Sequence, residues 1–145
     1  MLVTKQIEID MGHRVPNHKS KCRSPHGHRY KIEVGVDDKL ISDNKASDYA
    51  MVIDFGDLKE IMMQEIDAVY DHSYTLWEKD EDKALWMAWK DRGYKVNLTQ
   101  EPPTAEFLAV LWYHILKEKL EERKIKIAHV TVWETPTSTA TYTGV

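Results

Sequence analysis

Alternation of apolar and polar residues occupies both ends of this chain, while helical periodicity occupies its middle. A chain patterned this way must build a sheet from its ends and lay helices from its centre against it. Residues 3–13 read as a strand, with Val3, Ile7, Ile9 and Met11 on one parity and Thr4, Gln6, Glu8 and Asp10 on the other. A second strand runs from about 28 to 37, with Tyr30, Ile32, Val34 and Val36 on one face. Between them lies a polar, basic loop, PNHKSKCRSP, bounded by Pro16 and Pro25. The chain ends in IKIAHVTVWET and TATYTGV, two more strands joined by a turn at Pro136.

After the turn-like SDNKASD comes MVIDF, read as a short extended piece. Residues 57–69 place Leu58, Ile61, Met62, Ile66 and Val69 on one helical stripe, with Asp57 complementing the helix start. A longer helix is expected over 104–123, buried along Leu108, Leu111, Trp112, Ile115 and Leu116 and capped by Thr104. Residues 77–99 form an insertion between the helices, its centre DKALWMAWKDRG a short helix ended by Gly93. The order ββααββ predicts a single α+β domain over 1–145, an antiparallel four-stranded sheet with two helices on one face. A length of 145 residues with 42% hydrophobic content supports one such core.

A net charge of −4 gives no basic surface for nucleic acid as the main partner. The single cysteine excludes an intramolecular disulfide and suits a reducing compartment. MLVTKQIEID lacks the apolar block of a signal peptide, and no run approaches the ~18 apolar residues that span a bilayer. The expectation is a cytoplasmic protein with no membrane partner.

His26 and His28 are two apart at the entry to the second strand, so both project to the face of Tyr30. His13 ends the first strand in phase with Ile9 and Met11. If the strands are antiparallel neighbours, three imidazoles converge, which suits zinc with a fourth position left for water or substrate. The alternative is three half-buried strand histidines. His114 and His129 read as structural and His18 as a loop residue.

Cys22 stands among Lys19, Lys21 and Arg23, cations that favour the thiolate. It is a reactive thiol, a loop cysteine without a role, or a fourth zinc ligand that closes the site. Asp71 precedes His72, and a loop there lets the acid orient the imidazole for proton transfer. Glu134 is in phase with Val130 and Val132, so it is either a carboxylate on an apolar face that needs a partner or an exposed strand-end acid.

In chain order, MGH, CRSPHGHRY, VIDFGDLK, YDH, PPTAE and WETPTS resemble the 6-pyruvoyl-tetrahydropterin synthase and 6-carboxy-tetrahydropterin synthase family at compatible spacings. The resemblance covers most of the chain except 77–99, where Trp86 and Trp89 read as packing within the insertion or against a neighbouring subunit. It implies the tunnelling (T-) fold and a homo-oligomer, usually a hexamer of two trimers. It implies zinc on His13, His26 and His28, Cys22 as the proton-transfer thiol, and His72 held by Asp71 as the second acid/base. Glu134 becomes the anchor of the pterin ring, with Thr135 lining that pocket and Lys19, Lys21 and Arg23 facing the triphosphate.

The implied activity is a zinc-dependent lyase converting 7,8-dihydroneopterin triphosphate to 6-carboxy-tetrahydropterin, acetaldehyde and triphosphate, a step toward 7-deazaguanines such as queuosine. The three residues between Cys22 and His26 resemble the carboxy-forming synthases, since pyruvoyl enzymes tend to have a longer stretch. The same stretch lacks the glutamate of relatives that act as aldolases. Two alternatives stand beside this reading, a 6-pyruvoyl synthase and a non-catalytic zinc-stabilised binding protein with Cys22 as fourth ligand.

Overall fold

In the computed structural model, which describes residues 1–145, strands β1 (Leu2–His13) and β2 (His26–Asp37) pair antiparallel without a break from Leu2–Asp37 to His13–His26. This ladder is the centre of a six-stranded sheet. Strands β3 (Ser73–Trp77) and β4 (Val96–Thr99) extend it on the β1 side, and β5 (Ile127–Thr135) and β6 (Ser138–Tyr142) on the other, in the order β4-β3-β1-β2-β5-β6.

The expected four-stranded antiparallel sheet is therefore too small, and ββααββ omits two strands. Both pairings that β3 makes, with β1 and with β4, are parallel. The inward side chains Ser73 and Thr75 are buried with their hydroxyls satisfied by Tyr70 O at 2.6 Å and Met11 Sδ at 3.3 Å. Polar residues on the buried parity erase the alternation by which a strand is recognised.

Helix α1 (Phe55–Met62) continues through a π-helical stretch (Met63–Asp67) into a last turn, α2 (Ala68–Tyr70). Asp54 caps its start, accepting from Gly56 N at 2.7 Å, so the helix begins two residues before the expected 57. MVIDF is not a strand; Val52 and Ile53 are buried in the loop that leads to this cap. The wider π turn rotates the residues after it, and Tyr70 is buried in place of the expected Val69, which is exposed. Helix α4 (Ala105–Glu122) starts as expected, with Thr104 Oγ1 accepting from Phe107 N.

Leu58, Ile61, Met62 and Ile66 join Leu108, Trp112, Leu116 and Leu120 in a cluster with Ile9, Tyr30, Ile32, Val34, Val130 and Val132. Helices α1 and α4 thus bury one face of the sheet, as the two apolar stripes require. The short helix of the insertion, α3 (Lys83–Asp91), buries none of its residues. Gly93 follows it at φ +93°, a backbone conformation that favours glycine. Trp86 does not pack within the insertion but on β3, stacked on Tyr74 at 3.5 Å and 8°. Trp89 tilts against Tyr94 at 4.8 Å.

The insertion is anchored to β1 by a buried ion pair. Arg14 Nε and Nη2 donate to the two oxygens of Asp80 at 2.8 and 2.9 Å, and the Asp80 side chain is fully buried. Burial by itself would raise the Asp80 carboxyl; the two bonds from Arg14 outweigh it and hold the group below the ordinary carboxylate range. Such a group gives stability that is complete above its unfolded pKa, about 4, and is lost as pH falls through its lower folded value. Asp80→Asn is expected to cost about 3 kcal/mol at neutral pH, because it removes the one buried counter-charge of Arg14 and leaves only the exposed carboxylates of Glu81 and Asp82. Denaturant titrations of both proteins from neutral pH into acid check this: the difference shrinks only at the acid end.

Candidate active site

The β1–β2 register places His13 directly opposite His26, with His28 opposite Met11 one pair further along the same face. The three imidazoles pack edge to face at centroid distances of 4.6, 4.9 and 5.1 Å, and one nitrogen from each lies within 4.8 Å of the others. Tyr30 floors the cluster, fully buried, its hydroxyl 3.2 Å from His13 Nδ1. Its desolvated phenol stays protonated, its pKa pushed far upward by burial.

Hydrogen bonds to carbonyls fix two of the tautomers. His13 Nδ1 donates to Pro103 O at 2.7 Å, and His26 Nδ1 donates to Ser24 O at 2.7 Å. In the neutral rings both Nε2 atoms then carry lone pairs, and these two atoms face each other at 3.1 Å. Facing lone pairs at that distance repel unless a cation sits between them. Two nitrogens on a tetrahedral metal with ~2 Å bonds stand about 3.3 Å apart. His28 Nε2 is buried with no hydrogen-bond partner. Burial, with neighbouring histidines adding to it, lowers the pKa of His13 to about 4 and lowers that of His28, so both stay neutral imidazoles. Three imidazole donors, two oriented by carbonyls behind them, fit a divalent metal.

His28 stands between two cavities. One, of about 410 Å³, is shared by His28 and His72 across Gly12, Gly27 and Ser73. The other, of about 390 Å³, opens where the β2–β5 ladder ends at Lys31–Trp133 and is lined by His28, Glu134, Thr135 and Pro136 among others. Glu134 Oε1 lies 3.7 Å from His28 Nε2, so the expected partner of this carboxylate is an imidazole of the cluster.

The turn after α2 builds the Asp71–His72 couple. His72 Nδ1 donates to Asp71 Oδ2 at 2.8 Å, and Asp71 Oδ1 accepts from Asp10 N at 2.9 Å. That backbone bond, then the His72 contact, holds the Asp71 carboxyl below its ordinary range against a smaller opposing effect of burial. His72 takes φ +56°, left-handed backbone that is strained for an L residue, and its own N–H donates to Asp10 O at 2.7 Å.

Cys22 is half-buried in a 3-10 turn (Lys21–Arg23), and its sulfur is not among the atoms that converge with the imidazoles. It lines neither cavity beside His28. Lys19, Lys21 and Arg23 are exposed. His129 is structural as expected, bound to Glu33 at 3.0 Å above Gly35, where a Cβ would collide with its ring. His18 stays in its loop, accepting from Ser20 N, and His114 is exposed on α4. Neither the carbonyl of Pro103 nor the buried Arg14–Asp80 pair is foreseen from the sequence. Arg14 falls on the polar parity of the first strand with Glu8 and Asp10, so alternation marks it as an outward charge and leaves no trace of the pair.

A model of the 6-pyruvoyl tetrahydropterin synthase family matches residues 2–145. The chain belongs to the 6-pyruvoyl tetrahydropterin synthase family. Among its relatives, a 6-carboxy-5,6,7,8-tetrahydropterin synthase of Rickettsia felis is 34% identical over 134 residues, covering 92% of this chain and 93% of that protein. One of the same name from Haemophilus influenzae is 31% identical, with 97% and 96% covered. The fold is similar to an uncharacterized protein from Wolinella succinogenes, at TM-score 0.82, 21% identity and coverage of 100% and 98%. It is also similar to the 6-pyruvoyl tetrahydropterin synthase of Caenorhabditis elegans, at TM-score 0.70, 22% identity and coverage of 100% and 96%.

The cluster geometry makes metal content the direct readout. His13→Ala, His26→Ala and His28→Ala are each expected to strip bound divalent metal from purified protein, measured by inductively coupled plasma mass spectrometry. Replacing Pro103, whose backbone carbonyl accepts from His13 Nδ1, leaves that carbonyl in place and is expected to retain the metal. Full metal in any of the three histidine variants contradicts the assignment.

Proposed function

We propose that this protein is a zinc-dependent 6-carboxy-5,6,7,8-tetrahydropterin synthase acting on 7,8-dihydroneopterin triphosphate, in the cytoplasmic route to 7-deazaguanines. The observation that carries the reading is the convergence of three imidazole nitrogens beside Glu134, in a family of pterin synthases whose Rickettsia and Haemophilus relatives bear this name. Zinc bound to His13, His26 and His28 would supply a Lewis acid for the hydroxyls of the substrate side chain.

Glu134 and Thr135 line a cavity that meets the cluster at His28, which suits an anchor for the pterin ring. The carboxylate accepts two parallel hydrogen bonds from a ring N–H and the adjacent amino group, holding the side chain of the substrate toward the imidazoles. His72 presents Nε2 to the other cavity because Asp71 occupies Nδ1, so this nitrogen takes or returns a proton. Cys22 is the second proton carrier in this reading. Lys19, Lys21 and Arg23 are exposed and free to face the departing triphosphate.

The active form is proposed to be a homohexamer of two trimers. The sheet ends in two short edges, β4 and β6, whose unpaired backbone groups invite a neighbouring strand. No helix is long and apolar enough to cross a membrane.

Incubation with 7,8-dihydroneopterin triphosphate is expected to release acetaldehyde and triphosphate in step with 6-carboxy-tetrahydropterin, followed by mass spectrometry. Cys22→Ala is expected to keep its metal and lose this turnover by at least ~100-fold, the scale of one general acid or base. Triphosphate release with a pyruvoyl product and no acetaldehyde assigns the chain to the other branch of the family. Metal lost in Cys22→Ala instead supports a closed, non-catalytic zinc site.

Glu134→Ala is expected to weaken pterin binding by roughly 10- to 100-fold, the loss of charge-assisted hydrogen bonds worth about 1.5–3 kcal/mol. Calorimetry with a pterin measures it, and bound metal stays at the level of the parent protein.

A further inference from the structure

We propose that Arg14 is a positioning residue that sets where the Cys22 thiol stands relative to the imidazole cluster, its guanidinium held in place by Asp80 of the insertion. The proposal rests on the reading of Cys22 as a proton carrier. Three consecutive residues carry it. His13 belongs to the cluster, Arg14 Nη1 donates to Arg23 O at 3.3 Å, and Val15 N donates to Cys22 O at 2.9 Å. The end of β1 and its continuation therefore hold the metal-binding nitrogen and two carbonyls of the cysteine turn at once.

Beyond the turn itself, His26 Nδ1 holds the carbonyl of Ser24, the residue that follows it, at 2.7 Å. The turn is three residues long, none of them buried, so no apolar side chain pins it to the core. Its own backbone bonds, Arg23 N to Ser20 O and Ser24 N to Lys21 O, close the turn without fixing its place on the protein. The bonds from Arg14 and Val15 hold Arg23 O and Cys22 O, the carbonyls of the turn on the cysteine side, which the His26 bond to Ser24 does not reach.

The guanidinium suits the task through its shape. Nε and Nη2 form a fork on the fully buried Asp80, which leaves Nη1 aimed at Arg23 O and at Asp82 Oδ2, 3.3 Å away. Glu81 adds a longer contact to Nη2 at 3.6 Å. An ammonium offers no such rigid fork and cannot hold all these acceptors in one plane. A buried ion pair is weak evidence of a stabilising role, since apolar replacements of similar volume often do as well. The pair here also fixes a loop that carries a reactive side chain, which an apolar pair does not do.

The test uses the full-length, metal-loaded protein. Arg14→Lys keeps the charge and loses the fork. Its kcat is expected to fall on the order of 100-fold, the scale of a ~1 Å misplacement, with KM and bound metal unchanged. Alkylation of Cys22 by iodoacetamide at fixed pH becomes several-fold faster as the turn loosens, a readout independent of turnover. Asp80→Asn speeds alkylation in the same way, and the double variant is no faster than the faster single, because both act through one contact. Should Asp80→Asn not fold, Asp80→Glu moves the carboxylate by one methylene and takes its place with the same expectation.

Asp82→Asn, at an exposed partner of the same guanidinium, leaves alkylation at the parent rate. Parent-like alkylation and kcat in Arg14→Lys overturn the proposal, as does equal acceleration in Asp82→Asn, which marks general loosening. Turnover retained in Cys22→Ala removes the catalytic reading of the thiol, while the alkylation series still decides what places the turn.

Discussion

From Leu2–Asp37 to His13–His26, β1 and β2 pair residue for residue without a bulge, and both core and candidate site inherit that register. Ile7, Ile9 and Met11 come to the same face as Tyr30, Ile32 and Val34, where α1 and α4 cover them. The same parity carries on past the end of the apolar run to His13, His26 and His28. A slip of one residue turns every side chain of one strand to the opposite face. Such a slip would bury Glu8 and Asp10 while separating His13 from the other two imidazoles. The hydrophobic core therefore enforces the geometry of the cluster, and no separate device is required to bring the three rings together.

Where the core leaves freedom, hydrogen bonds remove it. Carbonyls of Pro103 and Ser24 select the tautomers of His13 and His26 and turn their lone pairs inward. Desolvation keeps the rings of His13 and His28 neutral near neutral pH, which a metal ligand requires. The Pro102–Pro103–Thr104 stretch thereby serves twice, orienting an imidazole through one carbonyl and capping α4 through the Thr104 hydroxyl. The strain at His72 fits the same economy. Its left-handed backbone lets adjacent residues, whose side chains ordinarily diverge, hydrogen-bond as an acid–imidazole couple.

The parts legible in the sequence are those governed by local periodicity. Parity brings His13, His26 and His28 together and puts Glu134 on the face of Val130 and Val132. Helical spacing locates α1, α3 and α4, and the caps at Thr104 and Gly93 follow from residue type. The strand β3 is hidden because Ser73 and Thr75 occupy buried positions that pattern reading assigns to apolar side chains, and β4 because it buries Thr99 while exposing Leu98. The parallel pairing of β3 with β1 joins segments about sixty residues apart, beyond any local signal. The π turn is equally silent, and it moves burial from Val69 to Tyr70. Arg14 and Asp80 look like ordinary surface charges until the fold buries them against each other. The family resemblance, by contrast, is carried by short motifs in the right order and is shown by the match over residues 2–145.

The proposed chemistry depends on a metal held by three imidazoles with its fourth position open to substrate. X-ray absorption at the zinc edge on the purified, zinc-loaded protein addresses this directly. Three nitrogen neighbours with imidazole multiple scattering and one further oxygen are expected, all at about 2.0–2.1 Å. A sulfur neighbour at about 2.3 Å contradicts it, because Cys22 would then close the site and leave no thiol to move a proton.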